Sequence, residues 1–230
     1  MALSSFCTGH IWEEDANDVL GRNHGEPVNG AAFTRGKVGQ AFQLNGAKDY
    51  VLVADSESLN ITGDLTLDAW LNLSSSNGEQ ESPPAADRTI IDKRNDANTM
   101  VTYSFFIEGD TSSAETAKAP LRFLVKSPEK SVASSHSIKW EPDTWYHVAA
   151  VKSDDTVTFY RDGVVAGKEV LAAPSAPTPG SSLAIGASPL ARGVSFPIRG
   201  LLDEVAIFNR ALSAAEIKAI FKAGRAGKCR

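Results

Sequence analysis

The chain has little of what most enzyme classes need. Its 230 residues contain two cysteines, Cys7 and Cys229, and four histidines. With no CxxC or His-rich spacing, zinc and thiol-redox centres have no ligand set. HExxH, GxSxG and glycine-rich phosphate loops are all missing. No apolar run approaches the ~20 residues of a membrane span. The start, MALSSFCTGH, lacks a charged segment followed by a long apolar one, so no secretory leader is expected within this chain. Net charge is −5 with both signs interspersed, which leaves no basic stripe for nucleic acid or an anionic membrane.

What is there is alternation. Hydrophobic residues make up 42% and charged residues 22%, enough to bury a core without metal or staples. Leu65–Leu73 alternates apolar and polar positions except at Trp70, the pattern of a half-buried strand. Similar runs occupy 100–107, 121–125, 146–151, 156–161, 182–185 and 201–208. Asn77-Gly78, Ser153-Asp154-Asp155 and Pro179-Gly180 mark turns between them, and Asp162-Gly163 predicts a two-residue hairpin. Many short strands with no interleaved helix argue for an all-β, two-sheet antiparallel sandwich or jelly roll. Polar stretches 74–87, 111–118 and 172–181 read as long loops, too short for domain linkers. One helix is predicted near the C-terminus, where Ser213 and Glu216 form a capping box, Leu212 and Ile217 a hydrophobic staple, and Gly224 a stop. The expected organisation is an N-terminal extension over 1–9 and a single domain over 10–230.

Three segments taken together, 36-GKVGQAFQLNGAKDYVLV-53 with 65-LTLDAWLNL-73, 145-WYHVAAVKSDDTVTFYRDGVVAG-167 and 200-GLLDEVAIFNRALSAAEIKAIF-221, resemble the concanavalin A-like, laminin G-like jelly-roll modules of bacterial secreted proteins, which are related to pentraxins. The resemblance covers roughly residues 10–228. It implies two packed antiparallel sheets, and binding or structural work more often than catalysis. It also implies a structural Ca²⁺ shared by Asp18, Asn23 and Asp203. The residues themselves leave a second reading open for Asp203, a carboxylate accepting backbone N–H bonds at the sandwich rim. Cys7 and Cys229 look like the bridged termini of bacterial members. Such a disulfide needs an oxidising compartment and is worth about 5 kcal/mol in a chain-entropy model; two free thiols are the alternative.

The catalytic relatives place paired carboxylates on one strand at i and i+2 or i+4. Asp203 and Glu204 are adjacent, so regular alternation sends them to opposite faces. His147 reads as a structural histidine in a strand. Asp96 and Asn98, in 92-DKRNDANTM-100, look like the pentraxin loop that carries ligand-linked calcium, but the matching loop 186-GASPLARGVSFP-197 has no acidic residue, which argues against a double calcium site. For sugar binding the candidates are Asp96 and Asn98, Arg94 converging with Arg192 and Arg199 at a loop rim, and Trp70, either as a stacking platform or as a residue covered by a long loop. Trp12 and Trp145 are expected in the core. The expected function is a non-catalytic module that binds a glycan, a polysaccharide or an extracellular protein, at a secreted or cell-surface location. A structural spacer is the first alternative, and a polysaccharide hydrolase or lyase the second.

Overall fold

The computed structural model describes residues 10–13, 16–74, 87–109 and 118–228, with side chains from Ala16 onward. The cysteine pair, the burial of Trp12 and most of the loops 74–87 and 111–118 lie outside these residues.

Alternating sequence becomes two antiparallel sheets packed as a sandwich. The larger sheet runs in the order Val164–Val170, Thr156–Arg161, Trp145–Ser153, Leu65–Leu73, Arg199–Phe208, His10–Glu13 and Asn17–Asp18, with Gln40–Asn45 and Ala32–Arg35 attached beside the start of Arg199–Phe208. The second runs Lys130–Ser134, Leu121–Lys126, Val101–Ile107, Arg88–Arg94, Leu183–Ile185, Tyr50–Val53 and Gly25–Val28. Between the sheets lies one apolar core, with Leu67, Leu71, Val148, Phe159, Val205 and Ile207 from the first facing Val51, Ile91, Phe105, Phe123 and Ile185 from the second. The hairpin at Asp162-Gly163 forms as expected, with φ of 52° and 74°.

The helix α1 (Ala214–Ala223) carries the predicted capping box. Ser213 Oγ accepts from the Glu216 N–H at 3.3 Å, and Glu216 Oε2 accepts from the Ser213 N–H at 2.8 Å. Ile217 and Ile220 bury against Ala149, Val151, Tyr160, Ala206 and Phe208 on the outer side of the larger sheet. Burying each such aliphatic side chain contributes ~1.5–3 kcal/mol. This helix explains why Leu65–Leu73 is buried on both faces, where alternation suggested one wet face. Trp70 is only 3% exposed, sandwiched among Phe221 of α1, His147 and the Lys37 ammonium, 4.2 Å above its ring. It therefore offers no open face to a sugar, and what covers it includes a helix. Trp145 is half-buried and Trp140 buried, its indole N–H donating to the Ala119 carbonyl at 3.0 Å.

A second departure sits in Arg199–Phe208. The register against Leu65–Leu73 slips between Asp203 and Ala206, and Glu204 takes φ of 49°. This bulge restarts the alternation, so Leu202 and Val205 both enter the core. Asp203 lies opposite Trp70, and Glu204 reaches the Lys228 N–H. Both carboxylates thus go to the side that the C-terminal segment covers, not to opposite faces.

Candidate functional site

Strand geometry exposes a cleft on the outer face of the seven-stranded sheet. Since Leu183 and Ile185 face the core, Ala184 between them faces out, with Asp92 and Leu52 as its register partners on either side. Asp92, Leu52 and Ala184 form the floor, with Tyr50 and Arg94 in the adjoining positions. The loop Gly180–Ser182 makes one wall, and Asp96 and Pro189 stand at another part of the rim. The volume is ≈ 410 Å³, within the usual range for small-ligand sites.

Each wall is fixed by hydrogen bonds. Asp55 accepts from the Gly180 N–H at 2.5 Å, from Asn60 at 3.1 Å and from the Lys93 ammonium at 2.5 Å, and Lys93 also donates to the Ser181 carbonyl. Burial would raise the Asp55 carboxyl, but Lys93 and the Gly180 N–H hold it below the ordinary aspartate value. Burial pulls the Lys93 ammonium down, with Asp55 opposing. On the other side the Ala191 N–H, in the turn after Ser188–Leu190, donates to the Asp96 carbonyl at 3.0 Å. The cleft is therefore largely pre-formed.

Within it, Arg94 Nε donates to Asp92 Oδ2 at 2.5 Å, Nη1 to Asn98 Oδ1 at 3.0 Å and Nη2 to Ser104 Oγ at 3.1 Å. Asp92 is 1% exposed, and its Oδ1 is buried with no hydrogen-bond partner. A buried, charged acceptor without a donor is costly. Arg94 thus meets Asn98 through a hydrogen bond and shares the cleft with Asp96, whereas Arg199 lines another cleft and Trp70 belongs to the other sheet. Asp92 and Tyr50 were missed. Their strand positions, two residues from Arg94 and Leu52 respectively, were the available signal.

Asp18, Asn23 and Asp203 do not assemble into a common donor set. Asp18 accepts the N–H groups of Leu20, Arg22 and Asn23 at 3.1–3.3 Å. Asn23 exchanges hydrogen bonds with Ser56 and Ser58. Asp203 turns to another loop, accepting from Val38 N–H at 2.8 Å and from its neighbour Glu204 N–H at 2.7 Å. The strand His10–Glu13 lies between Asn17–Asp18 and Arg199–Phe208. A shared calcium would have to displace these donors from carboxylates already aimed at them, so the three residues do not fit the expected ion. No group of three or more His, Cys, Asp or Glu placed to hold a metal occurs among the described residues. Burial, augmented by the Glu204 charge, pushes the Asp203 carboxyl up to about 6 despite the backbone donors. Asp203 follows the second reading, a carboxylate fastening a loop.

Beneath α1 lies a polar cluster that sequence reasoning did not assemble. His147 Nε2 and Asp68 Oδ2 are 3.0 Å apart, and Lys228 Nζ donates to Asp68 Oδ1 at 2.7 Å and to the Glu204 carbonyl. Asp68 and His147 are fully buried, and no hydroxyl or thiol is hydrogen-bonded to either among the described residues. The cluster clamps the C-terminal segment to the sheet. A second cleft, ≈ 470 Å³, is lined by Gln43, Asn45, Asp49, Asp143 and Arg199.

No helix among the described residues is long and apolar enough to cross a membrane. No curated protein matched the sequence. The fold is similar to the binding domain of the Paraclostridial Mosquitocidal Protein 1 (TM-score 0.70, 12% identity, 96% of this chain and 53% of that one). It is also similar to domain 4 of an extracellular arabinanase from Geobacillus stearothermophilus, solved in complex with arabinotriose (TM-score 0.65, 16% identity, 92% and 98%). A third similar structure is the ligand-binding domain of botulinum neurotoxin serotype D in complex with N-acetylneuraminic acid (TM-score 0.65, 11% identity, 97% and 53%). The chain thus spans about half the length of the first and third and nearly all of the second. A family profile described as the concanavalin A-like lectin/glucanases superfamily matches residues 45–218, and with most of the chain inside that match the protein belongs to this superfamily.

Proposed function

We propose that the chain is a non-catalytic carbohydrate-binding module whose sugar site is the cleft around Asp92. The observation that carries this is a pre-formed cleft of ≈ 410 Å³ on the outer face of a sheet, where apolar and polar groups alternate. Tyr50, Leu52 and Pro189 offer apolar surface to the C–H faces of a ring, and Asp96, Ser181 and Ser182 offer polar groups to its hydroxyls. The superfamily and the oligosaccharide- and sialic acid-bound neighbours support this class of ligand. Against catalysis stands the chemistry of the cleft. Hydrolysis by a carboxylate pair needs one acid and one base flanking the bond, and here Asp92 is committed to Arg94 while Asp96 lies on the exposed rim.

A glycan array followed by calorimetry tests this reading. Binding to at least one glycan is expected, with Tyr50→Ala weakening it ~10-fold or more while the melting temperature changes little. No sugar release from polysaccharides is expected. Absence of binding across the array, or turnover abolished by Asp92→Asn, would refute it.

A further inference from the structure

Resting on that reading, we infer that the cleft selects neutral, hydroxyl-rich saccharides and discriminates against sugars that carry a carboxylate. Two carboxylates, Asp92 and Asp96, line the cleft with a single cation, Arg94. A uronate or sialate carboxylate placed there sets negative charge against negative charge, whereas a sugar hydroxyl does not.

Acidic sugars are usually held by an arginine fork presented to the ligand. Arg94 is the cation lining this cleft, and it is not presented. Its side chain is 8% exposed, and its Nε, Nη1 and Nη2 all donate within the protein, to Asp92, Asn98 and Ser104. The neighbouring cations are committed elsewhere. Lys93 donates to Asp55 and to the Ser181 carbonyl, and Lys126 donates to the Asn98 carbonyl at 2.8 Å. Of the charged groups lining the cleft, Asp92 and Asp96 are negative and Arg94 is positive, which leaves the site with a negative balance. Tyr50, Leu52, Ala184 and Pro189 complete the lining with apolar surface, and Ser181 and Ser182 with neutral polar groups, the complement of an uncharged ring.

The test pairs neutral probes with acidic ones on one array: arabinan, galactan, xylan and mannan fragments against oligogalacturonate and sialyl-lactose. Wild-type protein is expected to bind one or more neutral probes and to bind the acidic probes at least ~10-fold more weakly. Asp92→Asn removes the charge that pairs with Arg94 Nε and shifts the balance of the lining toward positive. It is therefore expected to narrow the gap to the acidic probes by ~10-fold. Asp96→Asn, on the rim, is expected to narrow the gap as well. Wild-type binding of an acidic probe as tight as any neutral one, and lost in Tyr50→Ala, overturns the selectivity while leaving the cleft as the site. No binding of either class overturns both the selectivity and the reading on which it rests.

Discussion

Replacing Lys228 by methionine is expected to destabilise the protein by about 3–5 kcal/mol, the usual cost of removing one partner from a buried ion pair. Lys228 is 1% exposed, and its ammonium lies 2.7 Å from an Asp68 carboxylate that is completely buried. Methionine keeps most of the side-chain length and apolar stem, so the lost charge accounts for most of the effect. What remains is a buried carboxylate with the imidazole of His147 as its surviving partner at 3.0 Å. The pH dependence gives the mechanism a signature. Burial alone would raise the Asp68 carboxyl, but the Lys228 charge, followed by His147, holds it below the ordinary aspartate value of 3.8. A depressed carboxyl contributes stability that is fully present above its unfolded value and is lost as pH falls through the folded one. In Lys228→Met the largest influence that lowers the Asp68 carboxyl is gone and only His147 opposes burial, so the folded value is expected to rise and the carboxylate's contribution at neutral pH to fall. The deficit of the variant should therefore be largest near pH 7 and shrink toward pH 4. Urea unfolding at the two pH values measures this. Adding Asp68→Asn to the variant is expected to restore part of the loss at pH 7, whereas a deficit independent of pH would mean that packing and not charge explains it.

Gly200→Ala is expected to cost about 3 kcal/mol or more, because backbone, not a yielding side chain, occupies the space. Gly200 has φ of 145°, and a Cβ there would lie 2.1 Å from the Asn72 carbonyl oxygen and 3.0 Å from Leu73 Cα. It pairs with Leu73 on one side and Leu44 on the other, inside the larger sheet, so the clash cannot be relieved at an edge. For a chain of this length the loss corresponds to a fall in melting temperature of roughly 6–12 °C. Gly193→Ala is the control. It also has positive φ, 124°, but nothing lies within 4 Å of its added Cβ, so only conformational strain remains and the fall should be clearly smaller.

These two sites show what was legible in the sequence and what was not. Strands whose side chains alternate because one face meets the core could be read directly. Thr156–Arg161 and Leu65–Leu73 have the expected bounds, and the Asp162-Gly163 turn and the Ser213–Glu216 box are local chemistry that tertiary context did not override. The strand Arg88–Arg94 was not recognised, because its Asp92-Lys93-Arg94 half is polar and looks like a loop. Lys93 is nonetheless buried, since Asp55 and Ser181, distant in sequence, receive its ammonium. The bulge at Asp203–Ala206 was equally hidden. Strict alternation assumes an unbroken ladder, and only the positions of Val38, Trp70 and Lys228 show why the ladder breaks there. Asp96 and Asn98, on one short turn, could be grouped from sequence alone, whereas Arg94, expected beside Arg192 and Arg199, lies in a different cleft from Arg199. Tyr50 and Ser181 join Arg94 and Asp96 through sheet pairing across more than 40 residues on either side, which no local pattern encodes.

The most direct measurement is a map of backbone amide shifts while the protein is titrated with the neutral oligosaccharide that scores highest on the array. The expected shifts gather at Tyr50, Asp92, Arg94, Asp96, Ser181 and Ser182, which line one cleft. Shifts gathered instead around Asp49 and Arg199 in the second cleft, or no shift at all at saturating sugar, would contradict carbohydrate binding at Asp92.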